Sequence, residues 1–307
     1  MPSEQIFNKV LLAVDGSLPS IIAEELTAFL AKRLDSSVTV LNVVSHEFMG
    51  SQLGKYVPML YKDVPLGTGG APEEYVSAEP ASGAQEAISR EITMSYRQRG
   101  ADVIEEAVAL FKEEGVPVDQ KLVEHADPAE SITREAEKGN YDLVVVGYSG
   151  EEEEEPHLGS VAKKTALYAK TSVLIAREKK QISKIIVPVD GSEHSKKVVH
   201  YAAILARELG AEVALLNVQE PDLPPKIMKE IGTRILSEAA DQFKETKLYQ
   251  KLASGDPAKT IIQTAREGDY DLILMGHKGH NAVSRFLLGS VSDHVIQYAD
   301  LSVLLIR

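Results

Sequence analysis

Apolar residues along the chain follow two alternating patterns. Short β-branched and aliphatic runs, such as KIIVPVD at 184–190, are typical of strands that are buried on both faces. Between these runs apolar residues recur every three or four positions, as in residues 192–209, where Gly210 supplies a helix stop. From residue 184 onward the two patterns alternate and finish on a strand, which predicts a parallel sheet with helices on both faces.

The whole pattern occurs twice. Residues 9–17 (KVLLAVDGS) return at 184–192 (KIIVPVDGS), and residues 141–150 (YDLVVVGYSG) return at 270–279 (YDLILMGHKG). A repeat of this length identifies a tandem structural unit. The sequence therefore predicts an α/β protein with two tandem doubly wound domains, each built on a five-stranded parallel sheet.

The domain boundaries follow from the displacement between the copies. The first domain is predicted at 1–177 and the second at 184–307, joined by a short charged linker at 178–183. The first pair of repeats is displaced by 175 residues and the second by 129, so the first copy carries 175 − 129 = 46 additional residues. We expect this insertion at about 46–95 to form a long loop, which serves as a lid, a contact surface or a flap over the first domain's own sheet. A helix is predicted after it, from about Ala84 to Glu114.

Charge is distributed unevenly between the two copies. The net charge is −13, and residues 1–177 account for all of it, with 16 Lys+Arg against 29 Asp+Glu. An acidic chain argues against a nucleic-acid partner. No apolar run is long enough to insert into a membrane, and no signal peptide is recognisable, so we expect a cytoplasmic protein. The chain has 0 cysteines, which excludes disulfides and thiolate chemistry.

Candidate chemistry lies where the predicted strands end, because ligands of such sheets bind beyond the carboxyl ends of the strands. In the second copy the first of these ends is PVDGS at 188–192, and the second ends at Val218. Asp190 is placed to accept hydrogen bonds from ribose hydroxyls, as acidic residues at strand ends do in dinucleotide-binding folds.

The third strand end has the spacing of a phosphate-binding loop. Gly276 and Gly279 permit close approach of the backbone to a ligand, and Gly289-Ser290 opens a helix whose N–H groups attract an anion. We predict that Ser290 caps this helix or donates to a phosphate, and that Lys278 and Arg285 add positive charge.

The string HKGH at 277–280 allows another interpretation. It matches the His-x-Gly-His string of nucleotidyltransferases, but there the string follows the first strand and here it follows the predicted fourth. We therefore interpret His277 and His280 as loop residues, either of which can touch a ligand.

These motifs resemble those of one known family. PVDGS, LLNV, DPAKTI, YDLILMGHKG and LLGSVSDHVI in the second copy, with their counterparts in the first, resemble the universal stress protein domain. Nearly the whole chain apart from the insertion resembles a tandem universal stress protein. The resemblance implies a Rossmann-like fold of the adenine-nucleotide α-hydrolase type. In that family the pattern Gly-x2-Gly-x9-Gly-Ser/Thr marks the members that bind ATP.

The resemblance also implies a set of binding residues in the second copy. Val189, Asp190 and Val218 are expected around adenine and ribose, and the segment that begins at Met275 is expected along the nucleoside and phosphates. ATP, or ADP or AMP, is the implied ligand, and Mg²⁺ or Mn²⁺ accompanies it through the phosphates. The full implied set is Pro188, Val189, Asp190, Val218, Met275, Gly276, His277, Gly279, Gly289, Ser290 and Val291.

The first copy keeps the ends of this site and changes its middle. It retains Asp15, Gly147, Gly150, Gly159 and Ser160, but the spacer has eight residues and contains EEEEE at 151–155. One carboxylate about 6 Å from a phosphate charge repels it by roughly 1.4 kcal/mol at an effective dielectric of about 40. We predict a degenerate nucleotide loop. The alternatives are a solvated loop that points away from a working site, and glutamates that bind a cation or a basic partner.

No catalytic residues are predicted. The favoured function is a stress-response regulator that binds an adenine nucleotide in its second domain and presents an altered surface to a protein partner. One alternative is a slow ATP-hydrolysing or phosphoryl-transfer enzyme, and another is a protein-interaction module with a purely structural nucleotide site. The family resemblance further implies that the last strands of the two domains pair within the chain, and that such chains form a homodimer.

Overall fold

The structure is a computed structural model of the chain. It describes residues 5–45, 82–124, 127–149, 158–219, 224–278 and 288–307, with the backbone alone for 82–89. The elements of the first copy are β1 (Lys9–Ala13), α1 (Leu18–Leu34), β2 (Ser37–Val44), α2 (Ser82–Glu113), β3 (Val118–Glu124), α3 (Pro128–Lys138), β4 (Leu143–Gly147), α4 (Ser160–Tyr168) and β5 (Ser172–Ala176). Those of the second copy are β6 (Lys184–Pro188), α5 (Glu193–Leu209), β7 (Glu212–Gln219), α6 (Pro225–Ala240), β8 (Leu248–Ser254), α7 (Pro257–Glu267), β9 (Leu272–Gly276), α8 (Ser290–Tyr298) and β10 (Ser302–Ile306).

The strands form one continuous sheet with the order β3-β2-β1-β4-β5-β10-β9-β6-β7-β8. Within each copy neighbouring strands are parallel, and the order is that of a doubly wound domain. The only antiparallel pair among the described strands joins the copies, where Leu304 of β10 lies opposite Leu174 of β5. The fold class is therefore confirmed, and the predicted pairing of the last strands within one chain is observed.

Two hydrophobic cores cover the two faces of this sheet. Residues of α1, α2, α5 and α6 pack on one face, and residues of α3, α4, α7 and α8 pack on the other. Each core contains residues of both copies, so the packing is continuous across the junction. All five residues of β5 and all five of β10 are buried, which explains why four of the five residues in each strand are apolar.

Local sequence signals explain where several helices begin and end. The side chains of Ser17 and Ser192 cap α1 and α5 by accepting from the N–H groups of Ser20 and Ser195. Gly210 ends α5 in the left-handed conformation, as its position after the last apolar repeat predicts. The helix expected after the insertion is observed as α2, whereas residues 46–81 lie outside the described part of the chain.

Of the helices that the structure describes, none combines the length and the apolar character needed to cross a membrane.

Candidate functional site

The loop after the first strand of each copy is built around an aspartate. Asp190 Oδ1 accepts from the N–H of Ser192 at 2.9 Å, and Asp15 Oδ1 accepts from the N–H of Ser17 at 3.0 Å. The intervening glycine has a φ of +80° in the first copy and +79° in the second, a conformation that L side chains rarely adopt. Each loop therefore presents an exposed carboxylate at the carboxyl edge of the sheet, with one of its oxygens fixed by the turn.

A buried asparagine on the next strand fixes the end of the first. Asn217 Nδ2 donates to the carbonyl of Val189 at 2.7 Å, and Asn42 Nδ2 donates to the carbonyl of Val14 at 2.8 Å. The N–H of Val189 in turn donates to a β7 carbonyl, that of Leu216, at 2.9 Å. These bonds hold the strand end beside Val218, which is half-buried. The second copy thus places Val189 and Val218 on neighbouring strands at one edge, as predicted.

The loop after the fourth strand is tied to the start of the following helix. In the second copy His277 donates its N–H to the carbonyl of Ile306 at 3.1 Å and accepts from the N–H of Gly289 at 2.9 Å. The hydroxyl of Ser292 donates to the carbonyl of Gly276 at 2.8 Å. The N-terminus of α8, with Ser290 and Val291 in its first turn, is therefore held at the same edge of the sheet.

The predicted capping role of Ser290 is wrong. Gly289 is the N-cap of α8, and no side chain caps the helix there. Gly289 has an extended backbone, while Ser290 already lies inside the helix, so its hydroxyl is not in the capping position. Ser160 occupies the same place in α4, after Gly159 as the N-cap. For Ser290 the other predicted role, donation to a bound phosphate, stays a prediction.

In the first copy these positions enclose a cavity of about 560 Å³. A volume of this size matches a small-molecule site. Asp15 lines it from the first loop, Val43 from the second strand and Gly147 from the end of the fourth, and α4 contributes its first turn. The lining residues at positions that match the predicted second-copy set are Ala13, Val14, Asp15, Val43, Val146, Gly147, Gly159, Ser160 and Val161.

Two cations line this cavity that the sequence comparison missed. Arg99 comes from α2 and Lys164 from α4, and the Nζ of Lys164 lies 3.3 Å from Asp127 Oδ2. The bond from the N–H of Glu130 lowers the pKa of the Asp127 carboxyl, and the ion pair with Lys164 adds to this effect. The second copy has His294 at the position of Lys164. Positive charge at the first site thus comes from α2 and α4, whereas the sequence comparison looked for it in the loop after the fourth strand.

A glycine match in the sequence could have located Arg99. Gly100 and Gly232 each lie where an added Cβ would meet the Oδ1 of the strand-end asparagine, at 2.6 Å from Asn42 and 2.7 Å from Asn217. These glycines are therefore equivalent, and aligning them sets Arg99 against Ile231. The different helix lengths hid this match from the repeat comparison.

His277 and Lys278, which follow β9, are both buried. Only 7% of His277 and 8% of Lys278 is exposed. Burial, together with the charges of Arg307, Lys278 and His194, lowers the pKa of His277 to about 3, so its imidazole is neutral at physiological pH.

Several predicted residues lie outside the described part of the chain. These are Gly150 and Glu151–Glu155 in the first copy, and Gly279, His280 and Arg285 in the second. Their predicted roles remain predictions. Within the described ranges, no group of three or more His, Asp or Glu side chains is arranged to hold a metal ion.

Comparison with known proteins gives a consistent result. The universal stress protein family matches the chain twice, over residues 71–177 and 181–307. A universal stress protein of Methanocaldococcus jannaschii is 31% identical over 138 residues, which cover 40% of this chain and 81% of that protein. The universal stress protein YxiE of Bacillus subtilis is 30% identical over 146 residues, which cover 41% of this chain and 99% of YxiE.

Solved structures match the whole chain at the level of the fold. The crystal structure of a universal stress protein from Archaeoglobus fulgidus has a TM-score of 0.67 at 19% identity and covers 98% of both chains. That of a protein described as a universal stress protein from Pseudomonas aeruginosa has a TM-score of 0.63 at 14% identity, covering 98% of this chain and 93% of that one.

Proposed function

Because the chain belongs to the universal stress protein family, with two copies of its domain in tandem, we propose that it is a regulatory protein that binds an adenine nucleotide in its second copy. Binding of the nucleotide would change a surface that a protein partner recognises. Exposure of this surface would then depend on the free nucleotide concentration in the stressed cell.

The observation that carries this proposal is the frame at the carboxyl edge of the second copy. Hydrogen bonds to the backbone fix an anchored carboxylate, a strand end held by Asn217 and a helix N-terminus that begins with a glycine. Such a preformed frame avoids part of the ordering cost of binding. Its counterpart in the first copy encloses a cavity, which supports the view that these positions form one site.

Each part of the frame suits one part of an adenine nucleotide. The exposed carboxylate of Asp190 lies at the carboxyl edge of the sheet, where an acidic side chain suits ribose hydroxyls. Val218 is half-buried and offers apolar surface for the base, beside the buried Val189 and Met275. The N–H groups in the first turn of α8 suit phosphate oxygens, because they have no partner within the helix and lie at its positive end. A Mg²⁺ or Mn²⁺ ion would be held mainly by the phosphates.

We propose that the first copy binds a triphosphate less well. The glutamate run brings five carboxylates into the loop that would face the phosphates. Arg99 and Lys164 oppose this effect in part, and Lys164 is already paired with Asp127. The second-copy loop has no glutamate run and carries Lys278 and Arg285 instead, so we expect it to suit phosphates better.

A matched pair of substitutions tests this assignment. Asp190→Asn and Asp15→Asn make the same change at equivalent positions, and each amide oxygen can still accept the bond that closes the turn. We expect Asp190→Asn to weaken ATP binding about tenfold, the effect of losing a charged hydrogen-bond acceptor, and Asp15→Asn to leave it within about twofold. Isothermal titration calorimetry on the full chain measures both. Equal effects of the two variants, or no effect of Asp190→Asn, would contradict the proposal.

A further inference from the structure

Two arginines connect the copies where the central strands end. Arg177 follows β5 and Arg307 follows β10, so they hold the same position in the two repeats. Only 5% of Arg177 is exposed, and Arg307 is half-buried. A buried guanidinium is costly unless it makes good hydrogen bonds, so the partners of these two residues are informative.

Each guanidinium reaches the C-terminal turn of a helix in the other copy. Arg177 Nη2 donates to the carbonyl of Ile296 in α8 at 2.8 Å. Arg307 Nη2 donates to the carbonyls of Ala166 and Leu167 in α4 at 2.6 and 3.1 Å. A cation at this end satisfies carbonyls that lack intrahelical partners and complements the helix dipole.

The backbone N–H groups of the two arginines also bond to the opposite copy. The N–H of Arg177 donates to Ser302 Oγ at 3.0 Å, and the N–H of Arg307 donates to Ser172 Oγ at 3.4 Å. The contact is therefore reciprocal, and it involves equivalent residues on each side of the junction. A reciprocal contact of this kind fixes the position of each helix relative to the opposite copy.

Each arginine also adjoins the ligand loop of its own copy. The guanidinium of Arg177 lies 4.9 Å from the ring centroid of Tyr148, the residue directly after Gly147. His277 is the equivalent residue of the second copy, and its N–H donates to the carbonyl of Ile306, next to Arg307. Both Tyr148 and His277 accept from the glycine that begins the following helix.

We propose that Arg177 and Arg307 are positioning residues through which the ligand loop of each copy sets the position of the ligand-facing helix of the other. This proposal rests on the proposed function, because it assigns α4 and α8 to ligand sites. Each of these helices has 9 residues and is about 13 Å long, so a displacement of its C-terminus also moves its N-terminus. The arrangement of the loop in the first copy thereby changes ligand affinity in the second copy.

The alternative is that the two arginines only hold the junction together. The proposal predicts more than this, because a substitution in the first copy must change a property of the second-copy site while the junction stays intact. Tyr148 contacts Arg177, and Arg177 in turn contacts α8, so the loop of the first copy is linked to a helix of the second. Each of these contacts can be removed by its own substitution.

The test substitutes Arg177→Lys, which keeps the charge but loses the planar donor geometry. Arg266→Lys is the matched control. Arg266 donates two bonds to Asp300 just after α8, at 2.7 and 2.8 Å, and the arginine and its partner both belong to the second copy. Two quantities are measured on the full chain, amide hydrogen exchange in residues 293–299 without ligand and the Kd for ATP.

We expect Arg177→Lys to speed exchange in α8 at least about fivefold and to weaken ATP binding by a similar factor, while Arg266→Lys changes each by less than about twofold. Unchanged exchange in Arg177→Lys would overturn the proposal whether or not ATP binds. Faster exchange with unchanged ATP affinity would also overturn it. Absence of ATP binding to the wild-type protein would instead contradict the proposed function, and the exchange measurement would still decide whether Arg177 positions α8.

A second variant covers the case in which Arg177→Lys does not fold. Tyr148→Leu removes the ring beneath Arg177 from a half-buried position and leaves the arginine in place. We expect the second-copy Kd for ATP to rise about threefold, although Tyr148 belongs to the first copy. An unchanged Kd in this variant would overturn the proposal.

Discussion

Glu24 offers the sharpest test of how the first copy is packed. This glutamate of α1 is 7% exposed, and burial raises its pKa from 4.5 to about 7. A 3.0 Å bond from the hydroxyl of Ser20 opposes the effect of burial, and the charges of Asp15, Glu106 and Glu25 contribute to the raised value. Ser20 also accepts from the N–H of Asp15, so Glu24 supports the loop that lines the first cavity.

The sign of the effect follows from the raised pKa. Below pH 4.5 Glu24 is neutral in both the folded and the unfolded chain, and above pH 7 it is ionised in both. Between these values the folded protein binds the proton more tightly, so the free energy of unfolding falls as pH rises. Each pKa unit corresponds to about 1.4 kcal/mol, and the raised pKa therefore costs the folded protein about 3 kcal/mol at pH 8.

The substitution Glu24→Gln removes the charge and keeps an oxygen that can accept from Ser20. We expect the variant to be more stable than the wild-type protein by about 3 kcal/mol at pH 8 and by less than about 1 kcal/mol at pH 5. Urea unfolding at the two pH values measures the difference. Glu105→Gln, at an exposed position of α2, is the control and should change stability little at either pH. A Glu24→Gln effect that is absent at pH 8, or equal at both values, would refute this reasoning.

Three further predictions concern the junction, the strand ends and the second-copy loop. Leu304→Ala should lower the free energy of unfolding by about 2–5 kcal/mol in a urea titration, because its partner Leu174 is also buried; a cost below about 1 kcal/mol would contradict the central pairing. Asn217→Ala should cost about 1–3 kcal/mol by the same assay, since it leaves the carbonyl of Val189 without this donor; an unchanged midpoint would argue against the anchor. The imidazole of His277 should show no titration between pH 8 and 5 by NMR, because its pKa is about 3, and a midpoint near 6.5 would show that it is exposed.

Much of the fold could be predicted because local and global signals agree. The buried strands are largely apolar runs. Ser192 caps the start of α5 and Gly210 ends it, which are the residue types that local sequence signals predict at helix ends. The repeat then assigned the same elements to the first copy. The pairing of β5 with β10 was implied by the family resemblance, and it accounts for two last strands that are buried over their whole length.

The chemistry of the site was less predictable, because it depends on contacts between distant segments. Arg99 and Lys164 line the first cavity from helices, and no pattern in the loop indicates them. Both copies end in an arginine after SVLIA or SVLLI, but the sequence does not reveal that each side chain crosses to the other copy. Burial of Lys278 was also missed, since a lysine between glycines is typical of an exposed loop.

The central claim is that one copy of this tandem chain, the second, binds an adenine nucleotide. Equilibrium dialysis of the full chain against labelled ATP with Mg²⁺ measures it most directly, when wild type is compared with Gly289→Glu and Gly159→Glu, which place a carboxylate at equivalent helix starts. The account predicts one tightly bound nucleotide per chain, lost in Gly289→Glu and kept in Gly159→Glu. Two equivalent nucleotides per chain, or loss of the single one in Gly159→Glu alone, would contradict it.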